Sequence, residues 1–130
     1  MKKKEIYVPI YEYMITYIEI ENYTEKEIER VAKTLKSCKV DDDNISEVKD
    51  RMKRNYNGGA TTFSNEKFCE LVVLIYPHGS QSRKLSTIMH EKRHCEDFIL
   101  NRLDINDMEA AAYLAGWLAV EFSNIKSNKK

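Results

Sequence analysis

The pentapeptide His90-Glu91-Lys92-Arg93-His94 constrains this chain more than any other stretch, because its parts converge only if they lie on a helix. At about 3.6 residues per turn, His90 and His94 stand one turn apart on the same face, with Cβ atoms roughly 5–6 Å apart. Two imidazoles at that spacing can bind one Zn²⁺ with Zn–N bonds of about 2.0–2.1 Å. Glu91 lies one residue round from His90, so its carboxylate can reach a water on the metal without being a ligand. One turn of helix therefore supplies two ligands and a base. A third ligand has to come from elsewhere in the chain.

Glu109 is the candidate. It opens the run Glu109-Ala110-Ala111-Ala112-Tyr113-Leu114-Ala115-Gly116-Trp117-Leu118, which reads as a second helix after a break at Asp104-Ile105-Asn106. Two histidines and one carboxylate leave the fourth tetrahedral position to water, which distinguishes catalytic from structural zinc. In these residues the chain resembles the gluzincin branch of the zincin metallopeptidases, where HExxH on one helix is followed by a metal-binding Glu on the next. The resemblance is specific over Ser82–Phe122 and architectural before that. It implies zinc held by His90, His94 and Glu109, Glu91 as general base, and hydrolysis of peptide bonds.

The motif departs from the family pattern at Lys92 and Arg93, which lie between the Glu and the second His, and at Glu96, two residues further on. Those positions are usually uncharged because that part of the helix is largely buried, and burying an unpaired charge is costly. The expectation is a stretch of helix more exposed than in a large peptidase. A zinc-binding interaction module without turnover is the competing reading, favoured by Lys92 and Arg93. Retention of Glu91, which a purely structural site does not need, favours the enzyme.

Other residues enter as supports. Tyr113 falls one turn after Glu109 and is a candidate donor to a developing oxyanion, or else a core aromatic. Gly116 is expected to allow a close helix approach that brings Glu109 to the histidines. Asp97, three residues after His94, either orients a ligand imidazole from behind or replaces Glu109 as third ligand. Cys95 points about 100° round the helix from His94 and reads as a packing residue. His78 reads as a surface-loop residue.

A length of 130 residues suits one domain. The 21 basic and 21 acidic residues cancel, so no electrostatic partnership with nucleic acid or a membrane is indicated. The short cluster Lys49–Arg54 reads as a solvated helix face. Three cysteines without paired spacing suggest a reduced compartment and no disulfide. No stretch approaches the roughly 20 apolar residues of a membrane span, and the N-terminal segment lacks a cleavage signal. A cytoplasmic location is expected, and nothing in the sequence indicates an oligomeric state.

Residues 5–21 alternate with a period of two, with Ile6, Val8, Ile10, Met14, Thr16, Ile18 and Ile20 on one face, which reads as half-buried β structure broken near Pro9. Thr24-Glu25-Lys26-Glu27 is a capping box opening a helix with inner residues Ile28, Val31, Ala32 and Leu35. Asp41-Asp42-Asp43 reads as a turn and helix start rather than a calcium loop, and residues 45–54 as a short polar helix. Thr61–Phe63 and Cys69–Tyr76 read as strands, and Leu85, Ile88, Met89, Cys95, Phe98 and Ile99 as the core face of the histidine helix. The expected fold is α+β in the order β, α, β, β, α, α: a minimal zincin-like domain over 1–124, with a small twisted sheet, an active-site helix and a following ligand helix. Residues 125–130 read as a flexible tail. By the resemblance, a peptide or protein substrate lies along an edge strand near Thr61–Phe63 by β-augmentation.

Overall fold

The alternation over residues 5–21 resolves into two strands rather than one in the computed structural model, which describes residues 1–127. Strand β1 (Lys2–Val8) turns back into β2 (Tyr13–Glu19), antiparallel, with Val8 opposite Tyr13. Pro9 fixes its own φ and offers no N–H to a ladder, and Glu12 completes the reversal at φ 55°. Ile10, apolar-face by parity, falls in this turn and is 74% exposed.

Two helices follow, α1 (Glu25–Ser37) and α2 (Asp42–Lys53), before β3 (Ala60–Asn65) and β4 (Glu70–Ile75). Thr24 caps α1 by accepting from the Glu27 N–H at 3.2 Å. The reciprocal half of the capping box is absent, because the Glu27 carboxylate accepts instead from the Glu21 N–H at 3.0 Å. Asp41 caps α2 through the Asn44 N–H at 2.8 Å, so the acidic triplet is a helix start. The chain then ends on α3 (Gln81–Arg102) and α4 (Met108–Ser127). The order is thus β, β, α, α, β, β, α, α, longer than expected by the split of the first strand and by α2.

The four strands form one mixed sheet in the order β1-β2-β4-β3, with β2 parallel to β4 and the other two pairings antiparallel. The α+β class is as expected. The sheet is buried on both faces, however, not one. Ile18, Ile20, Val72, Leu74 and Tyr76 pack with Ile28, Val31 and Leu35 of α1 and Ile45, Val48 and Met52 of α2. On the opposite face Ile6, Val8, Tyr13, Ile15, Tyr17, Leu71, Val73 and Ile75 pack with α3 and α4. A strand with a parallel neighbour is normally covered on both sides by the helices of its crossover connections. Tyr13 and Tyr17, on the less apolar parity, are buried for that reason.

The two last helices divide their face of the sheet. Phe122 of α4 meets Tyr17 of β2 edge-on at 6.1 Å, and Tyr113, Leu114 and Trp117 line a cleft with residues from Val8 to Tyr11. Helix α3 packs against β3 and β4. It therefore has the edge strand β3 on one flank and α4 on the other. Of its expected core residues, Ile88, Cys95 and Ile99 are buried, whereas Leu85 is exposed on the early turns.

The two edges of the sheet differ in charge: β1 begins Lys2-Lys3-Lys4, while β3 reads Ala60-Thr61-Thr62-Phe63-Ser64-Asn65. None of the three cysteines is joined in a disulfide. Helix α4 continues to Ser127, past the start of the tail expected at 125, and residues 128–130 lie outside the described residues. No helix among the described residues is long and apolar enough to cross a membrane.

Candidate metal centre

Ser80 starts α3 by accepting from the Arg83 N–H at 3.2 Å, and the helix then runs unbroken through the pentapeptide. His90 and His94 lie on its exposed side with their Nε2 atoms 3.1 Å apart, ring centroids 4.7 Å apart and planes at 88°. Two nitrogens bound to one tetrahedral zinc at about 2.0–2.1 Å stand roughly 3.3 Å from each other. The observed separation of the two nitrogens is close to that. The same separation suits a hydrogen bond from the N–H of one ring to the nitrogen of the other, with the roles set by the tautomers.

Glu91 turns the other way round the helix, towards β3. It is 5% exposed, and its Oε1 accepts a hydrogen bond from the Thr62 hydroxyl at 2.6 Å. Thr62 lies mid-strand opposite Val73, on the sheet face that α3 covers. One ligating atom from each of His90, Glu91 and His94 falls within 4.8 Å of the other two. A pair of exposed imidazoles thus has a buried carboxylate beside it, held from the edge strand.

The structure does not bring Glu109 or Tyr113 into this group. Glu109 is exposed in the first turn of α4, with its N–H bound to the Asp107 carboxylate at 3.0 Å. Tyr113 is 66% exposed beside the turn that joins β1 and β2. Both follow from α4 covering the β1–β2 half of the sheet, on the flank of α3 opposite the edge strand. Gly116 does not mediate a close helix approach either, because a Cβ built there would meet nothing within 4 Å. Asp97 is half-exposed with its carboxylate 3.5 Å from the Arg93 Nε, an ion pair along the helix rather than a support for His94.

The charges inside the motif are accommodated by pairing. Lys92 and Glu96 form an ion pair one turn apart, with Glu96 buried and Lys92 nearly so. Glu96 also lies 3.7 Å from Arg93, whose side chain is 71% exposed. Of the two charges between Glu91 and His94, Arg93 reaches solvent and Lys92 is paired in place with the buried Glu96. The i, i+4 spacing of Lys92 and Glu96 carried that information in the sequence.

Cys95 is fully buried, and burial, followed by the charges of Glu91 and Glu96, pushes its thiol far above the ordinary range, so it is no nucleophile. His78 is fixed rather than free on a loop. Its Nδ1 lies 2.7 Å from the Tyr76 carbonyl and its Nε2 2.9 Å from the Thr87 hydroxyl, tying the loop to α3. Thr62 belongs to the strand expected to hold substrate, but its bond to Glu91 was missed, since the two residues are 29 positions apart and no local pattern marks the pair. No protein-family model matches the chain, and neither a curated protein nor a solved structure does.

Proposed function

We propose that this protein is a zinc-dependent peptidase of the small zincin-like kind, with His90 and His94 holding the metal and Glu91 acting as general base. One observation carries the reading: two imidazoles converge to 3.1 Å beside a carboxylate that is buried against an edge strand. A zinc ion bound there supplies Lewis acidity and a water whose pKa is lowered towards about 7. Glu91, beside the two imidazoles, would take up the proton of the attacking water and return it to the leaving amine. The backbone of β3, paired within the sheet only to β4, holds an extended peptide by strand addition, and Thr62 sets that strand directly beside the base.

The decisive experiment compares zinc-loaded protein, its Glu91→Gln variant and a chelated control on a mixed peptide library. Removing the base is expected to slow hydrolysis by about 10²–10⁴-fold, with zinc content and folding unchanged. Parent protein that loads zinc but cleaves nothing ends the peptidase reading.

A second reading, a zinc-binding interaction module without turnover, is favoured by the position of Glu109. With Glu109 outside the group of His90, Glu91 and His94, this chain offers the metal two imidazoles, and completing the set requires Glu91, water or a partner's side chain. Zinc content after Glu109→Ala tests the ligand set: retention of zinc removes Glu109 as a ligand, and loss restores it.

A further inference from the structure

We infer that Thr62 is the positioning residue that makes Glu91 a base rather than a third metal ligand. The inference rests on the proposed metal site and adds a residue from outside the motif. Glu91 stands close to both imidazoles, as one candidate atom from each of the three residues falls within 4.8 Å of the others. A carboxylate free to rotate at that range binds a divalent cation directly, because an oxygen on the metal is worth more than an unpartnered oxygen in a buried setting. The Thr62 hydroxyl counters this with a 2.6 Å bond to Oε1. Hydrogen bonds to an ionised acceptor are the short and strong ones, and this one fixes one carboxylate oxygen at the edge strand.

The consequence is that the position of the Glu91 carboxyl group is set from β3, through the bond to Oε1. The restraint comes from strand backbone packed into the sheet, where Thr62 lies opposite Val73, rather than from a loop. The strand that docks the peptide is therefore the strand that sets the base, so substrate register and base position share one element.

The test uses Co²⁺ as a spectroscopic stand-in for zinc, with Thr62→Val, Thr62→Ser and the double variant Thr62→Val/Glu91→Gln. Valine keeps the β-branch that suits the strand and loses only the hydroxyl; serine keeps the hydroxyl. The expected result is a visible cobalt spectrum altered in Thr62→Val, parental in Thr62→Ser, and free of the alteration in the double variant, since the carboxylate that would move onto the metal is gone. In hydrolysis, Thr62→Val should lose about tenfold or more in kcat with KM within about twofold, and Thr62→Ser should recover it. Superimposable spectra of parent and Thr62→Val overturn the inference. So does an altered spectrum that persists in the double variant. Parent protein that binds cobalt but hydrolyses no peptide ends the peptidase reading alone, and the spectra still decide Thr62. Failure to bind cobalt removes the metal site and this inference together.

Discussion

The two flanks of α3 carry pairs of polar side chains one turn apart, and the fold treats them in opposite ways. On one, Lys92 and Glu96 are packed inside and neutralise each other. On the other, His90 and His94 stay exposed and have only each other as partner in the pair they form. An ion pair taken out of water becomes part of the packing, and breaking it costs stability. An exposed pair of imidazoles contributes little to stability and remains available to a ligand. The same helix thus separates structural from chemical pairs by which way each one faces, and Glu91 sits between them, buried like the first and adjacent to the second.

The largest expected effect breaks the buried pair. Glu96→Ala leaves Lys92 without its partner and should destabilise the protein by about 3 kcal/mol in urea unfolding. The joint replacement Lys92→Met with Glu96→Leu should restore most of that, because apolar side chains of similar volume often match a buried pair. If Glu96→Ala costs no more than a surface change, the two flanks do not differ.

Next comes the effect of metal on the exposed pair. At zinc near 100 times its dissociation constant, the parent should gain about 2.7 kcal/mol, read as a rise in Tm. His90→Ala/His94→Ala should show no such rise. Without metal, each single histidine variant should lie within about 0.5 kcal/mol of the parent. A histidine variant strongly destabilised without metal would assign these rings to packing.

Glu91→Gln tests the residue between. Its amide oxygen can still accept from Thr62, so the stability loss should stay below about 1 kcal/mol while hydrolysis slows by about 10²–10⁴-fold. The smallest effect concerns Cys95. With its thiol pKa raised by burial, the folded protein keeps the proton that the unfolded chain releases above about pH 8.5. The stability this contributes is present below that pH and declines as pH rises through and above it. In a thiol-reagent titration Cys38 and Cys69, both partly exposed, should react before unfolding and Cys95 only after.

What the sequence made legible was local. His90 and His94 are read from i, i+4 spacing because a helix alone brings them together, and the caps at Thr24 and Asp41 are read for the same reason. The turn at 9–12 was half visible: Pro9 marked a break, but a non-glycine residue, Glu12, takes the positive φ, so nothing marked the reversal. The burial of Tyr13 and Tyr17 depends on β2 acquiring a parallel neighbour from 56 residues downstream, and alternation within the strand does not encode that. Glu109 was assigned by order along the chain, whereas its position depends on which half of the sheet α4 covers. The bond from Thr62 to Glu91 was invisible because it exists only once β3 lies beside α3.

The unequal edges of the sheet also bear on how this protein behaves in concentrated solution. Strand-to-strand growth into fibres needs two edges that accept a neighbour, and charged edge residues, lysine above all, are a common defence. Lys2, Lys3 and Lys4 guard the β1 edge, and the uncharged β3 edge has no such guard. Any edge pairing between copies would thereby be confined to β3 against β3, a pairing that closes on itself and has nowhere further to extend.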